Sequence, residues 1–150
     1  MLRDTISIKK LKEQAMIPVY SSISAAGADL YACLDTNESI EIAPGKTVMI
    51  PTGLAMEIPE GFAGLIYARS GLASKKGLAP ANKVGVIDAD YRGEIKVPLY
   101  NHSTKTAFIE QGERIAQMII TPFLQADFKE SKELHDTERG EKGFGSTGEK

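Results

Sequence analysis

The chain has a single cysteine, Cys33, so it cannot close a disulfide on itself. It has only two histidines, His102 and His135, and neither an HExxH nor a CxxC string, which argues against a zinc site. The start, MLRDTISIKKLKEQAM, lacks an apolar run of secretion-signal length, and nothing later could span a bilayer. A soluble, intracellular, cytoplasmic protein with no membrane partner is expected. Two Asn-x-Ser sequons, at Asn37 and Asn101, then meet no glycosylation machinery. A surplus of basic charge is also missing: 18 Lys and Arg stand against 20 Asp and Glu, a formal net charge of -2. Non-specific nucleic-acid binding needs a basic face that displaces phosphate counterions. No nucleic-acid partner is expected, but a local Arg cluster gripping a small anion stays open.

What is present fits one globular domain. The 150 residues suffice for a single core, and the 42% hydrophobic and 25% charged fractions are ordinary. Short alternating or apolar runs recur between turn residues: 40–42, 47–50, 54–58, 62–67, 84–87, 93–100 and 114–123. Ile95, Val97 and Leu99 share one face at a period of two. Turn signals every ~8–12 residues predict an all-β sandwich or barrel. Pro51 and Pro98 cannot donate to a ladder and are expected at edges or bulges. One short helix is predicted after Ser70, ending at Gly77. From Phe128 onward charge is dense and glycines punctuate the end. The division is therefore a β domain over 1–127 and an arm over 128–150 that cannot repay its ordering entropy and is mobile when left alone.

Five segments could carry chemistry. In Ala26-Gly27-Ala28-Asp29-Leu30, a carboxylate beside small residues could serve a hydrated cation, or simply open a strand. In Ala68-Arg69-Ser70-Gly71, a guanidinium, a hydroxyl and free N–H groups could converge on an anion; the plain alternative makes Ser70 an ordinary N-cap. Gly85 to Glu94 puts two carboxylates and Tyr91 in a turn able to offer backbone donors and acceptors to a base edge, or to be a solvated tip. In 112–117, Gln117 could reach a phosphate from a strand. In 139–148, Phe144 has no core to join and suits stacking, while Arg139, Ser146 and Thr147 suit phosphate. Gly45-Lys46-Thr47 mimics the end of a Walker A loop, but Ile40 stands where its first glycine belongs, so a turn entering a strand explains it better.

Together and in this order, the five segments resemble the five motifs of the homotrimeric dUTPase (deoxyuridine triphosphate nucleotidohydrolase) family, from about Ser24 to Gly148. GVIDADYRGE and GFGSTG are the most specific strings. The resemblance implies a jelly-roll-like β-barrel with one short helix, a threefold homotrimer with active sites at subunit interfaces, and a closing C-terminal arm. It implies hydrolysis of dUTP to dUMP and diphosphate with Mg²⁺ as cofactor, which supplies dUMP for thymidylate synthesis and keeps uracil out of DNA. By matching position, Asp88 is the general base and Asp29 holds water in the Mg²⁺ shell. Arg69, Ser70, Gly71 and Gln117 contact phosphates. Asn82, Val86, Ile87 and Asp88, with Lys96, read uracil from a buried hairpin, and Tyr91 lies under the deoxyribose. Arg139, Phe144, Gly145, Ser146 and Thr147 form the closing arm, with Arg139 at the γ-phosphate. The chain departs from the pattern at Lys142, where many members have Gly.

Two rival readings follow. A deoxycytidine triphosphate deaminase shares the fold, but the Arg-Ser-Gly-Leu-Ala run and the intact arm favour the dUTPase. A dUTP-sensing regulatory protein would need binding without turnover, although every proposed catalytic residue is present.

Overall fold

The computed structural model describes residues 5–35, 38–141 and 143. Twelve strands and one helix run along them. They are β1 (Ser7–Lys10), β2 (Val19–Tyr20), β3 (Ala28–Tyr31), β4 (Ser39–Ile42), β5 (Thr47–Pro51), β6 (Leu54–Glu57) and β7 (Phe62–Tyr67). Then come α1 (Ser70–Lys76), β8 (Leu78–Pro80), β9 (Gly85–Ile87), β10 (Lys96–Asn101), β11 (Ala107–Glu110) and β12 (Arg114–Pro122). The all-β expectation with one short helix holds. Every pairing is antiparallel, in sheets ordered β1-β6, β5-β10-β8, β11-β4 and β2-β3-β12-β7-β9. No helix among the described residues is long and apolar enough to cross a membrane.

Alternation of side chains explains how the sheets enclose one core. In β10, Val97, Leu99 and Asn101 are buried while Lys96 is exposed, and Ile95 just before it is buried. They join Leu30, Ile42, Ile50, Leu78, Ile109 and Ile115, all fully buried. Each such aliphatic side chain contributes about 1.5–3 kcal/mol by leaving water. Asn101 is the polar exception, and it is satisfied. Its amide donates to the Ile42 and Lys105 carbonyls, both at 2.8 Å, and its oxygen accepts from the Ser103 N–H and hydroxyl. Burial thus removes the Asn101 sequon from any modifying enzyme; Asn37 lies outside the described residues. Cys33 is fully buried, and burial pushes its thiol pKa up against the opposing pull of the Lys12 ammonium.

Pro51 ends β5, an edge strand, as expected. Pro98 does not follow that expectation: it lies in β10, the middle strand of its sheet. The reason is register. Its carbonyl accepts from the Ala81 N–H at 2.7 Å just past the end of β8, so the one bond a proline cannot return falls where that ladder stops.

α1 begins at Ser70 with Arg69 in the cap position and no side-chain cap, so Ser70 is the first helical residue and not the cap. Gly77 ends it at φ 66, and a Cβ there would fall 2.5 Å from that of Ser103. Gly45 occupies a left-handed turn before β5, as the reading of Gly45-Lys46-Thr47 as a turn requires. Past Pro122 the described residues contain no helix or strand, and 122–141 are exposed throughout.

The longest strand, β12, is irregular where it matters most. It pairs Arg114 with Tyr31 and Ala116 with Leu30, leaving Ile115 as an extra residue. Strict alternation would put Arg114 on the face of the buried Ala116 and Met118. The bulge turns it to the opposite face, toward Asp29.

Candidate active site

Asp29, Gln117 and Tyr67 are register partners and form one row across β3, β12 and β7. Arg69 follows this row two residues after Tyr67, at the junction with α1. Asp29 is 7% exposed, and its carboxylate is clamped by two guanidinium groups. Arg69 Nε donates to Oδ1 at 2.7 Å and Arg114 Nη1 to Oδ2 at 3.3 Å. One carboxylate between two guanidiniums leaves the cluster with a net positive charge, suited to an anion. It faces a cavity of about 510 Å³ lined by Ser21, Gly27, Asp29, Arg69, Ser70, Gly71 and Gln117 among others. The structure thus gathers the predicted Asp29, Arg69, Ser70, Gly71 and Gln117 from three distant stretches of chain.

Gln117 is aimed by its surroundings. Its amide nitrogen donates to the Ala68 carbonyl at 2.9 Å, and its Oε1 would lie 2.7 Å from a Cβ added to Gly27. A side chain at 27 would therefore meet the end of Gln117, a constraint of space and not of backbone angle. Gly27→Ala is expected to displace Gln117 and lose a bond worth about 0.5–1.5 kcal/mol. That corresponds to a fall of roughly 1–6 °C in the thermal midpoint. Calorimetry with and without inorganic pyrophosphate checks it: an unchanged midpoint and unchanged anion stabilisation would show that Gln117 is not held this way.

A second cavity, of about 430 Å³, shares no lining residue with the first. Val86, Ile87, Asp88, Tyr91, Glu94 and Lys96 line it, with Met49 and Ile95. Here β9 leads out of the five-stranded sheet, Ile87 pairing with Gly64. That partner is three residues along β7 from Tyr67, about 10 Å at the rise of a strand. Tyr91 folds over Gly93 and donates its hydroxyl to the Glu94 carbonyl at 3.0 Å. The Asp88 side chain is exposed and has no hydrogen bond or ion pair among the described residues. Lys96 Nζ lies 3.4 Å from Glu94 Oε2.

The hairpin is not buried within one chain, contrary to expectation: Val86 is 60% and Tyr91 43% exposed. Asn82 does not line that cavity; its side-chain nitrogen sits over Gly85, 3.3 Å from where a Cβ would be. Arg139 lies in the exposed stretch after β12. Phe144, Gly145, Ser146 and Thr147, like Lys142, lie outside the described residues. Among the described residues there is no group of three or more His, Cys, Asp or Glu able to hold a metal ion. Arg114 and Glu94 were missed as site residues. A bulge that re-aims Arg114 leaves no mark in hydrophobic spacing, and Glu94 reads locally as an ordinary turn residue.

Comparison with known proteins gives the following likenesses. The family model described as dUTPase matches residues 13–148. The deoxyuridine 5'-triphosphate nucleotidohydrolase of Hydrogenobaculum sp. (strain Y04AAS1) is 51% identical over 143 residues, 95% of this chain and 97% of that protein. The solved dUTPase of Staphylococcus bacteriophage 80alpha with dUPNHPP superposes with a TM-score of 0.87 at 31% identity, over 97% of this chain and 99% of that one. A mutant dUTPase from phage phi11 of S. aureus, solved to reveal coordination of a structural Mg(II) ion, gives a TM-score of 0.78 at 26% identity. That match covers 89% of this chain and 100% of the phage protein.

Proposed function

The chain belongs to the dUTPase family, and from that premise we propose how it hydrolyses dUTP to dUMP and diphosphate. The observation that carries the reading is the Asp29 carboxylate held between Arg69 and Arg114 beside Gln117. This net-positive seat suits a polyphosphate. Only the Nε of Arg69 is engaged by Asp29, which leaves its terminal N–H groups for phosphate oxygens. The Ser70 hydroxyl, the Gly71 amide and the second amide hydrogen of Gln117 complete the contacts.

The nucleoside end belongs to the other cavity. The backbone of Val86, Ile87 and Asp88, with Asn82 and Lys96, offers fixed donors and acceptors to uracil. Cytosine is rejected because its inverted edge leaves those groups unpaired. The Tyr91 ring supports the deoxyribose and leaves no room for a 2′-hydroxyl. Asp88 takes a proton from a water molecule as the water oxygen attacks the α-phosphorus. The bond from that phosphorus to the bridging oxygen then breaks, and pyrophosphate leaves.

The residues fit Mg²⁺ carried in by the substrate. Mg²⁺ favours water and phosphate oxygens over a cage of protein carboxylates, and no such cage is built among the described residues. Asp29 keeps lone pairs beyond its guanidinium contacts and can accept from a metal-bound water. When bound, Mg²⁺ offsets the negative charge of the triphosphate.

The separation of the two cavities supports assembly as a homotrimer. A hairpin exposed on one chain and a phosphate seat on another make one site when chains meet. The exposed apolar residues Val86, Met49, Tyr20 and Ile23 suit such a contact. The arm over 128–150 then closes the site, with Phe144 on the base, Ser146 and Thr147 beside phosphate, and Arg139 at the γ-phosphate.

Pyrophosphate release from dUTP, dTTP, dCTP and UTP, each with Mg²⁺, tests the reading. The expected result is turnover of dUTP at least about 10²-fold above the others. Equal turnover of UTP, or ammonia released from dCTP, would refute it.

A further inference from the structure

The loop between β9 and β10 is braced mainly from within. The Tyr91 N–H donates to the Asp88 carbonyl at 3.2 Å, and Arg92 Nη1 donates to the Ala89 and Tyr91 carbonyls at 2.6 and 3.1 Å. Its ion pair to the body, Arg92 with Glu57, is long at 3.9 Å and exposed on both sides. Such a pair holds little.

Glu94 is different. Its side chain is 23% exposed, and the carboxylate accepts from the Gly53 N–H at 2.9 Å through Oε1. Its Oε2 meets the Lys96 ammonium at 3.4 Å, and its backbone carbonyl accepts the Tyr91 hydroxyl at 3.0 Å. A bond from a backbone N–H to a charged acceptor is stronger than a neutral one. The turn it grips is itself fixed. Gly53 has φ 66, and a Cβ there would fall 2.6 Å from Cys33 Sγ and 2.9 Å from Ala15 Cβ. One residue on, Ile95 continues the attachment: its N–H donates to Leu54, and its carbonyl accepts from the Thr52 N–H and hydroxyl.

We propose that Glu94 is a positioning residue for nucleoside selection. It anchors the reading loop to the rigid Gly53 turn, sets the tilt of Tyr91 through its carbonyl, and holds Lys96 at the cavity rim. This deepens, and rests on, the reading of that cavity as the nucleoside site. A loose loop would still admit dUTP, but Tyr91 would no longer exclude a 2′-hydroxyl at a fixed distance. The loss therefore appears in KM and in selectivity, not chiefly in kcat.

The test compares Glu94→Ala and Glu94→Gln with the unaltered full-length protein, using Tyr91→Ala as the reference for lost selectivity. For Glu94→Ala, the expected result is a rise in KM for dUTP and a fall in the dUTP-to-UTP ratio of kcat/KM, each about tenfold, with kcat within about twofold. Glu94→Gln keeps an oxygen for the Gly53 N–H and is expected to recover most of both. Amide hydrogen exchange at Gly53 and Tyr91 should quicken in the Ala variant and return toward normal in the Gln variant. A lowered melting temperature with an unchanged dUTP-to-UTP ratio would overturn the proposal, because a merely structural residue behaves that way. Unchanged exchange at both amides would overturn it too. If the unaltered protein releases no pyrophosphate from dUTP, the functional reading fails, and the exchange rates still decide whether Glu94 anchors the loop.

Discussion

Asp88→Asn is expected to bind dUTP nearly as well as the unaltered protein and to turn it over about 10²–10⁴-fold more slowly. That range equals about 3–5 kcal/mol of lost transition-state stabilisation. The substitution is nearly isosteric, and among the described residues no side-chain bond of Asp88 has to be remade. The loop around it is closed by backbone bonds, such as Tyr91 N–H to Asp88 O, that the change leaves alone. What disappears is a basic oxygen. An amide still orients a water molecule through a hydrogen bond but cannot take its proton at neutral pH. Binding of a non-hydrolysable dUTP analogue by calorimetry, beside single-turnover rates, separates the two effects. Turnover at the original rate would exclude Asp88 as the base and shift attention to Asp90 in the same loop.

Ending the chain before Arg139 is expected to lower kcat by about 10²–10³-fold. The thermal midpoint should move by no more than roughly a degree. The second half of this expectation rests on the fold. Among the described residues every strand is complete by Pro122 and those from there to Glu141 are exposed, so removing Arg139 to Glu141 takes away no core packing. The first half rests on chemistry. An open site lets water screen the charges that must act on the triphosphate, and it loses the Arg139 guanidinium proposed for the phosphorus farthest from the base. A truncated protein that melts early would place residues 139–150 in the fold; one that hydrolyses dUTP at the full rate would deny them any part in the chemistry.

Much of this architecture was legible because it depends on local rules. Ile95, Val97 and Leu99 announce β10 by period alone, and Gly77 announces the end of α1 by the backbone angle it accepts. The gathering of Asp29, Arg69 and Gln117 was legible only through resemblance to a family, since no spacing rule brings positions 29, 69 and 117 together. Pro98 was misjudged because a strand position carries two distinct hydrogen-bonding edges, and sequence does not say which one faces a neighbour. The short strands β1, β2, β8 and β11 escaped notice for a related reason. With two to four residues each, they hold too few repeats to display a period.

The irregularity in β12 carries a lesson for redesign. Closing the bulge with every residue kept, so that Ile115 faces Tyr31, would perfect its ladder and swing Arg114 inward among Ala116 and Met118. Asp29 would then face one cation instead of two, and the cluster proposed to seat the triphosphate would become electrically neutral. In this molecule a flaw in strand geometry sets the sign of the field that the substrate meets.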